Sequence, residues 1–117
     1  MEKVMYLYED QVLPSLESAR VLLPHLWKYM RPRSVLDVGC GRGAWVAACH
    51  ELGSTHLFGL DGDWNHQDQM IDKSIQFRGV DLTQAFTLDR KVDLSFVPFL
   101  GVINEYVFGI AKIHSCT

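Results

Sequence analysis

Residues 39–43 carry three glycines at alternate positions directly after a short apolar run, and this feature constrains the fold most. The apolar run, 35–38, is rich in β-branched residues, contains a single acid and is bounded by glycine, a pattern typical of a buried strand. Residues 44–52 are mostly helix formers and end at Gly53, a residue type that favours helix ends. The stretch predicts a strand, glycine turn and helix in succession, an arrangement that brings backbone N–H groups to a ligand.

The spacing of the glycines separates two kinds of ligand. Dinucleotide sites of α/β proteins carry G-x-G-x-x-G and cradle a pyrophosphate, whereas here the third glycine falls one position early. Asp37 lies two positions before the first glycine, where its charge would repel a pyrophosphate and attract a cationic group. S-adenosylmethionine, which has an ammonium, a sulfonium and a ribose diol but no phosphate, suits this turn better than a nicotinamide dinucleotide.

Residues 36–43, Leu-Asp-Val-Gly-Cys-Gly-Arg-Gly, resemble the first motif of class I S-adenosylmethionine-dependent methyltransferases. The resemblance covers about Ser15 to Leu94 and implies an α/β fold, a Rossmann-like parallel sheet of about four strands with flanking helices. It also implies that the cofactor S-adenosylmethionine binds along the glycine turn. The residues of this segment that we predict to bind it are Asp37, Gly39, Cys40, Gly41 and Gly43.

A second apolar segment, His56 to Asp61, predicts another strand that ends in an acid. Asp61 lies 22 positions after Gly39, near the spacing at which an acid meets ribose hydroxyls in nucleotide-binding α/β folds. We therefore predict that Asp61 binds the ribose diol and that Gly62 keeps the following turn open. The alternative is that Asp61 caps a short helical stretch after Asp63.

A third segment, Ser74 to Asp81, alternates in polarity and again ends in an acid. In the family that the chain resembles, an acid here bonds the adenine amino group, and the next backbone N–H meets a ring nitrogen. The resemblance implies these two roles for Asp81 and Leu82, while a helix-capping aspartate is the alternative. The order of these strands, glycines and acids fits βαβ units and a parallel sheet.

Residues 13–30 have a helical pattern that is interrupted by Pro24. Proline is tolerated in the first turn of a helix and breaks a helix interior. We therefore predict one helix near Ser15–Leu22 and a second that begins at Pro24 and ends before Pro32. Trp27 is expected to pack against the sheet, with a substrate pocket as the less favoured location.

The predicted fourth strand begins at Val92–Leu94, and the charge composition of the chain changes there. One edge of this strand would be open. Only Asp93, Glu105 and Lys112 carry charge after residue 91. Residues 95–117 form an atypical apolar tail, and the last three strands of the family's sheet have no counterpart. We infer that the chain is a truncated or frame-changed copy of such a methyltransferase. A membrane helix is disfavoured because it needs about 20 mostly apolar residues and the tail is interrupted by polar ones.

Composition limits the remaining choices. A length of 117 residues allows one domain, 1–117, and 48% hydrophobic residues are enough for a packed core. A net charge of -3 disfavours nucleic-acid and membrane-surface binding. Three cysteines without disulfide or zinc spacing predict buried thiols in a reducing, cytoplasmic compartment, with no metal site. The N-terminus lacks the pattern of a signal peptide.

Three function classes follow. An S-adenosylmethionine-dependent methyltransferase with an unknown small-molecule acceptor is favoured, and activity of this short chain alone is doubted. A non-catalytic cofactor-binding or interaction module derived from such an enzyme is the alternative, and the glycine spacing disfavours an NAD-dependent oxidoreductase. No catalytic base is predicted, since the accessible imidazoles of His25 and His66 are more typical of surface residues. The apolar tail predicts self-association.

Overall fold

A computed structural model of the chain describes residues 2–81, 91–96 and 111–113, with side chains over 12–81 and 91–96. The elements in chain order are α1 (Glu2–Leu26), β1 (Ser34–Val38), α2 (Ala44–Glu51), β2 (His56–Asp61), a 3-10 turn (Gln67–Gln69), β3 (Gln76–Gly79), β4 (Leu94–Phe96) and β5 (Ala111–Ile113). The first two predicted strands and the first predicted βα unit lie where the sequence places them. Leu82 falls outside the described residues.

The strands form one sheet in the order β3-β2-β1-β4-β5. The first four are parallel to one another, with Val35 opposite both Leu57 and Leu94. The predicted Rossmann-like α/β fold is confirmed. Because β2 and β3 lie on one side of β1 and β4 lies on the other, the order in which strands are added to the sheet reverses at β1. Open α/β sheets bind ligands outside the carboxyl ends of the strands at such a reversal.

The outer edge of β4 is not open, which corrects the sequence-based expectation. β5 pairs antiparallel with β4, with Leu94 opposite Ile113 and Phe96 opposite Ala111. Residues 111–113 of the apolar tail therefore lie on the sheet and supply backbone partners to the strand that would otherwise be an unpaired edge.

The N-terminal segment forms a single helix, so the prediction of two helices divided before Pro24 is wrong. α1 is 25 residues long and contains both Pro14 and Pro24. Only the last turn of α1 follows Pro24, so the missing backbone donor lies near the helix end. Ala19 and Leu23, fully or almost fully buried against the sheet, hold the helix by tertiary packing, the main source of helix stability in proteins.

Apolar side chains of α1 and α2 cover one face of the sheet. The main cluster consists of Ala19, Leu23, Val35, Ala48, Cys49, Leu94 and Phe96. Trp27 packs against it as predicted, and its Nε1 donates a hydrogen bond to Leu52 O at 3.1 Å. None of the described helices combines the length and the apolar character that crossing a bilayer requires.

The crossover segment, residues 62–75, connects β2 to β3 without an α-helix. The short helical stretch expected after Asp63 is a single 3-10 turn. Met70 and Ile75 are each 1% exposed and pack against α2 and β2, so they bury the apolar surface that a crossover helix would cover. His50 on α2 anchors the segment through a 2.5 Å contact between its Nδ1 and Oδ2 of Asp72.

Candidate functional site

The glycine turn, residues 39–43, reverses the chain between β1 and α2. All three glycines have positive φ, 77° at Gly39, 57° at Gly41 and 85° at Gly43, a region that glycine enters without steric cost. The N–H groups of Gly39 and Cys40 both donate to Leu60 O, at 2.7 and 3.0 Å. The turn is therefore held against the end of β2, and α2 starts directly after it.

The surroundings of two turn glycines differ. A Cβ at Gly43 would lie 2.6 Å from Cδ1 of the buried Ile75, so core packing as well as φ requires glycine there. A Cβ at Gly41 would meet no atom within 4 Å. Gly41 therefore borders open space at the carboxyl end of β1, where a ligand would approach.

The residue types at Gly62 and Cys40, two other predicted site residues, are explained by local packing. At Gly62 the indole of Trp64 occupies the position that a Cβ would take. The Cys40 side chain is buried over Gly59, where an added Cβ would lie 2.8 Å from its Sγ. Cys40 could therefore contact a ligand only through its backbone, and burial raises the pKa of its thiol well above the usual range.

The Asp61 carboxylate lies at the end of β2, 7% exposed, and is bonded mainly to backbone amides. Its Oδ2 accepts the Gly41 N–H at 2.8 Å, and its Oδ1 accepts the Gly62 N–H at 2.8 Å. The carboxylate thus closes the glycine turn. Of the roughly four acceptor positions that a carboxylate has, these bonds use two.

Asn65 is a site residue that sequence reasoning missed. It is 5% exposed, and its Nδ2 donates to Gly41 O at 2.6 Å and lies 3.5 Å from Asp61 Oδ2. Its Oδ1 accepts the His66 N–H at 2.8 Å. Asparagine is common in turns for local reasons, so the sequence carries no signal that separates this residue from an ordinary loop asparagine.

Asp37 lies at the centre of the sheet, 4% exposed. It faces the same side as Asp61, because side chains alternate along strands and Asp37 is opposite Gly59. Burial, together with the charge of Asp61, raises the pKa of Asp37 to about 8. Within the described residues, no cation offsets this burial. Asp37 is therefore a buried acid whose protonation depends on what is brought next to it.

One further predicted site residue, Asp81, lies at the end of the next strand, β3. Asp81 is exposed and lies two positions beyond β3, next to Val80, whose N–H donates to Asp61 O at 2.8 Å. His25 and His66 are both exposed. The fold thus brings together the ends of β1 and β2, with the glycine turn between them, and sets Asp81 at the neighbouring strand end.

The described residues contain no group of three or more His, Cys, Asp or Glu side chains that could hold a metal ion. No protein-family model and no solved structure matches this chain.

Proposed function

We propose that the chain binds S-adenosylmethionine along the glycine turn and is an S-adenosylmethionine-dependent methyltransferase acting on a small molecule. The observation that carries the proposal is Asp37, a buried acid without a counter-charge among the described residues, beside the turn. A buried carboxylate is costly unless it is paired. A ligand that places an ammonium next to Asp37 would supply the missing partner.

The same groups disfavour a phosphate ligand. The N–H of Gly41, which a glycine turn would normally offer to an anion, donates to Asp61 instead, and so does the N–H of Gly62 after β2. Asp61, together with Asp37 in its ionised form, faces one side of the sheet and would repel a pyrophosphate. The geometry therefore supports a cationic ligand over a nicotinamide dinucleotide.

Asp61 retains room for a ribose. Its Oδ1 accepts one hydrogen bond, from Gly62, and each carboxylate oxygen has about two acceptor positions. These described contacts therefore leave an acceptor position on Oδ1 for a ribose hydroxyl. A second hydroxyl would compete with the longer 3.5 Å contact that Asn65 makes to Oδ2. Asp81, at the next strand end, is the residue that the resemblance assigns to the adenine.

The residues of the site bind and orient rather than transfer protons. Bound S-adenosylmethionine supplies a methyl group on a positively charged sulfur. The glycine turn, Asp37 and Asp61 would hold the cofactor with its methyl group in line with an acceptor atom. The methyl group would then pass to the acceptor, the sulfur would leave as a neutral thioether, and the acceptor's proton would pass to solvent or a base. Because the leaving group is already activated, proximity and orientation supply much of the acceleration. None of the described residues is assigned as the base.

Calorimetric titration with two ligands tests the proposal. S-adenosylhomocysteine carries the amino-acid ammonium, and 5′-methylthioadenosine keeps the nucleoside and lacks that ammonium. We expect wild type to bind the first more tightly, and Asp37→Asn to weaken the first while leaving the second nearly unchanged. Absence of S-adenosylhomocysteine binding, or tighter binding of NAD, would overturn the proposal.

A non-catalytic module is the second candidate, and β5 favours it. This antiparallel strand occupies the edge of β4, where a further parallel βα unit would continue the sheet of a complete enzyme. Cofactor binding without methyl transfer to a panel of small-molecule acceptors would support the module. Turnover by the purified chain would exclude it.

A further inference from the structure

The side chain of Asn65 joins the crossover segment to the glycine turn. Its Nδ2 donates to Gly41 O at 2.6 Å, and its Oδ1 accepts the His66 N–H at 2.8 Å. The side chain is almost completely buried. Removing one partner of a buried hydrogen bond leaves the other unpaired and desolvated, so these contacts constrain the position of the turn strongly.

Gly41 is held by polar contacts on both sides. Asp61 Oδ2 accepts its N–H at 2.8 Å, and Asn65 binds its carbonyl oxygen. A Cβ at Gly41 would have no neighbour within 4 Å, and its φ is 57°. The Gly41 peptide is therefore held by hydrogen bonds. Its N–H donates to Asp61, and its carbonyl oxygen accepts from Asn65 and, at the longer distance of 3.4 Å, from the Cys40 thiol.

We infer that Asn65 is a positioning residue of the candidate site. It fixes the Gly41 peptide and, through the Gly41 N–H, the orientation of the Asp61 carboxylate that leaves Oδ1 available. The inference extends to ligand binding only if the proposed function is correct, whereas its effect on the turn can be measured without ligand.

Two matched variants separate positioning from a general loosening of the crossover segment. Asn65→Asp preserves the shape of the side chain and the acceptor for the His66 N–H, but it replaces the donor to Gly41 O with an acceptor. Asp72→Asn weakens a different anchor of the segment, the contact with His50, and Asp72 itself has no hydrogen bond to the glycine turn. If N65D does not fold, Asn65→Ala removes the same donor without adding repulsion.

Hydrogen exchange of the Gly41 amide, followed by NMR, is the ligand-free measurement. We expect protection in N65D at pH 7 to fall by about tenfold or more relative to wild type, and protection in D72N to stay unchanged. Lowering the pH should restore protection in N65D, because its protonated carboxyl donates again. Asp37, Asp61, Cys40 and His66 also lie in or beside the turn, so N65A, which has no ionisable group at position 65, is measured at the same pH values and should show no such recovery. Wild-type protection in N65D at pH 7, or an equal loss in D72N, would overturn the inference.

Binding of S-adenosylhomocysteine provides the second measurement. We expect affinity to weaken about tenfold in N65D, or about 1.4 kcal/mol, and to be retained in D72N. Wild type that fails to bind this ligand would refute the proposed function, while the exchange of the Gly41 amide would still decide the role of Asn65. Tight ligand binding by a folded N65D would limit Asn65 to a structural role.

Discussion

The Asp61 carboxylate accepts the N–H of Gly41 at 2.8 Å, a contact that joins the end of β2 to the glycine turn after β1. The parallel pairing of Val38 with Leu60 brings the two segments side by side. A residue predicted to bind a ribose is thus also a structural part of the turn. Its substitution should affect both folding and ligand binding.

Asp61→Ala should weaken S-adenosylhomocysteine binding by one to two decades. A hydrogen bond to a charged group contributes about 1.5–3 kcal/mol, and about 1.4 kcal/mol corresponds to tenfold. Calorimetry measures the affinity, and thermal unfolding measures the accompanying loss of stability from the unpaired Gly41 and Gly62 amides. Asp61→Asn, which retains one acceptor oxygen, is the control and should lose less. Unchanged affinity in both variants would remove Asp61 from the site.

Gly43→Ala should mainly lower the stability of the protein, whereas Gly41→Ala should mainly weaken ligand binding. A left-handed backbone costs a residue with a Cβ roughly 1–2 kcal/mol, and both glycines have positive φ. At Gly43 overpacking against Ile75 adds about 1–3 kcal/mol, so this variant should be the less stable by chemical denaturation. At Gly41 the added methyl enters open space, and S-adenosylhomocysteine binding should suffer more. Wild-type binding by a folded G41A would place the ligand elsewhere.

Asp37→Asn should stabilise the protein at neutral and alkaline pH. Burial raises the pKa of Asp37 from 3.8 to about 8, so between these values the folded state holds a proton that the unfolded state has released. Wild-type stability should therefore be highest below the unfolded pKa and fall with rising pH, by at most about 1.4 kcal/mol per pH unit, until the folded pKa is passed.

The neutral amide of D37N cannot ionise, so this variant should not show the fall in stability with rising pH that Asp37 causes. We expect its stability advantage over wild type to grow by about 1 kcal/mol or more between pH 5 and pH 8, measured by urea unfolding at each pH. An advantage that is independent of pH would show that Asp37 is not protonated in the folded state.

The chain should self-associate, and its methyl transfer should be weak even where cofactor binds. The prediction rests on the apolar residues of the tail, most of which lie outside the described residues, and on exposed apolar side chains of α1 such as Val21 and Leu22, 65% and 56% exposed. Contiguous exposed apolar surface promotes association. Light scattering and a turnover assay on one sample test it, and a monomer that methylates an acceptor would contradict it.

Local sequence patterns were sufficient for the glycine turn and the elements around it. The predicted strand His56–Asp61 has the same bounds in the structure, and the helix after the turn ends at Glu51, with Gly53 following at φ 113°. Short apolar runs bounded by glycine, together with the positive φ that glycine permits, are properties of consecutive residues. These features are therefore visible without knowledge of the tertiary contacts.

Tertiary contacts decided the rest. Packing of Ala19 and Leu23 carries α1 past Pro24, and Met70 and Ile75 replace a crossover helix by burying their side chains against α2 and β2. The antiparallel pairing of β5 with β4 joins residues that are far apart in the chain. The hydrogen bond from Asn65 to Gly41 depends on the conformation of a loop. No periodic pattern encodes such contacts, because their free energy comes from partners that become neighbours only when the chain has folded.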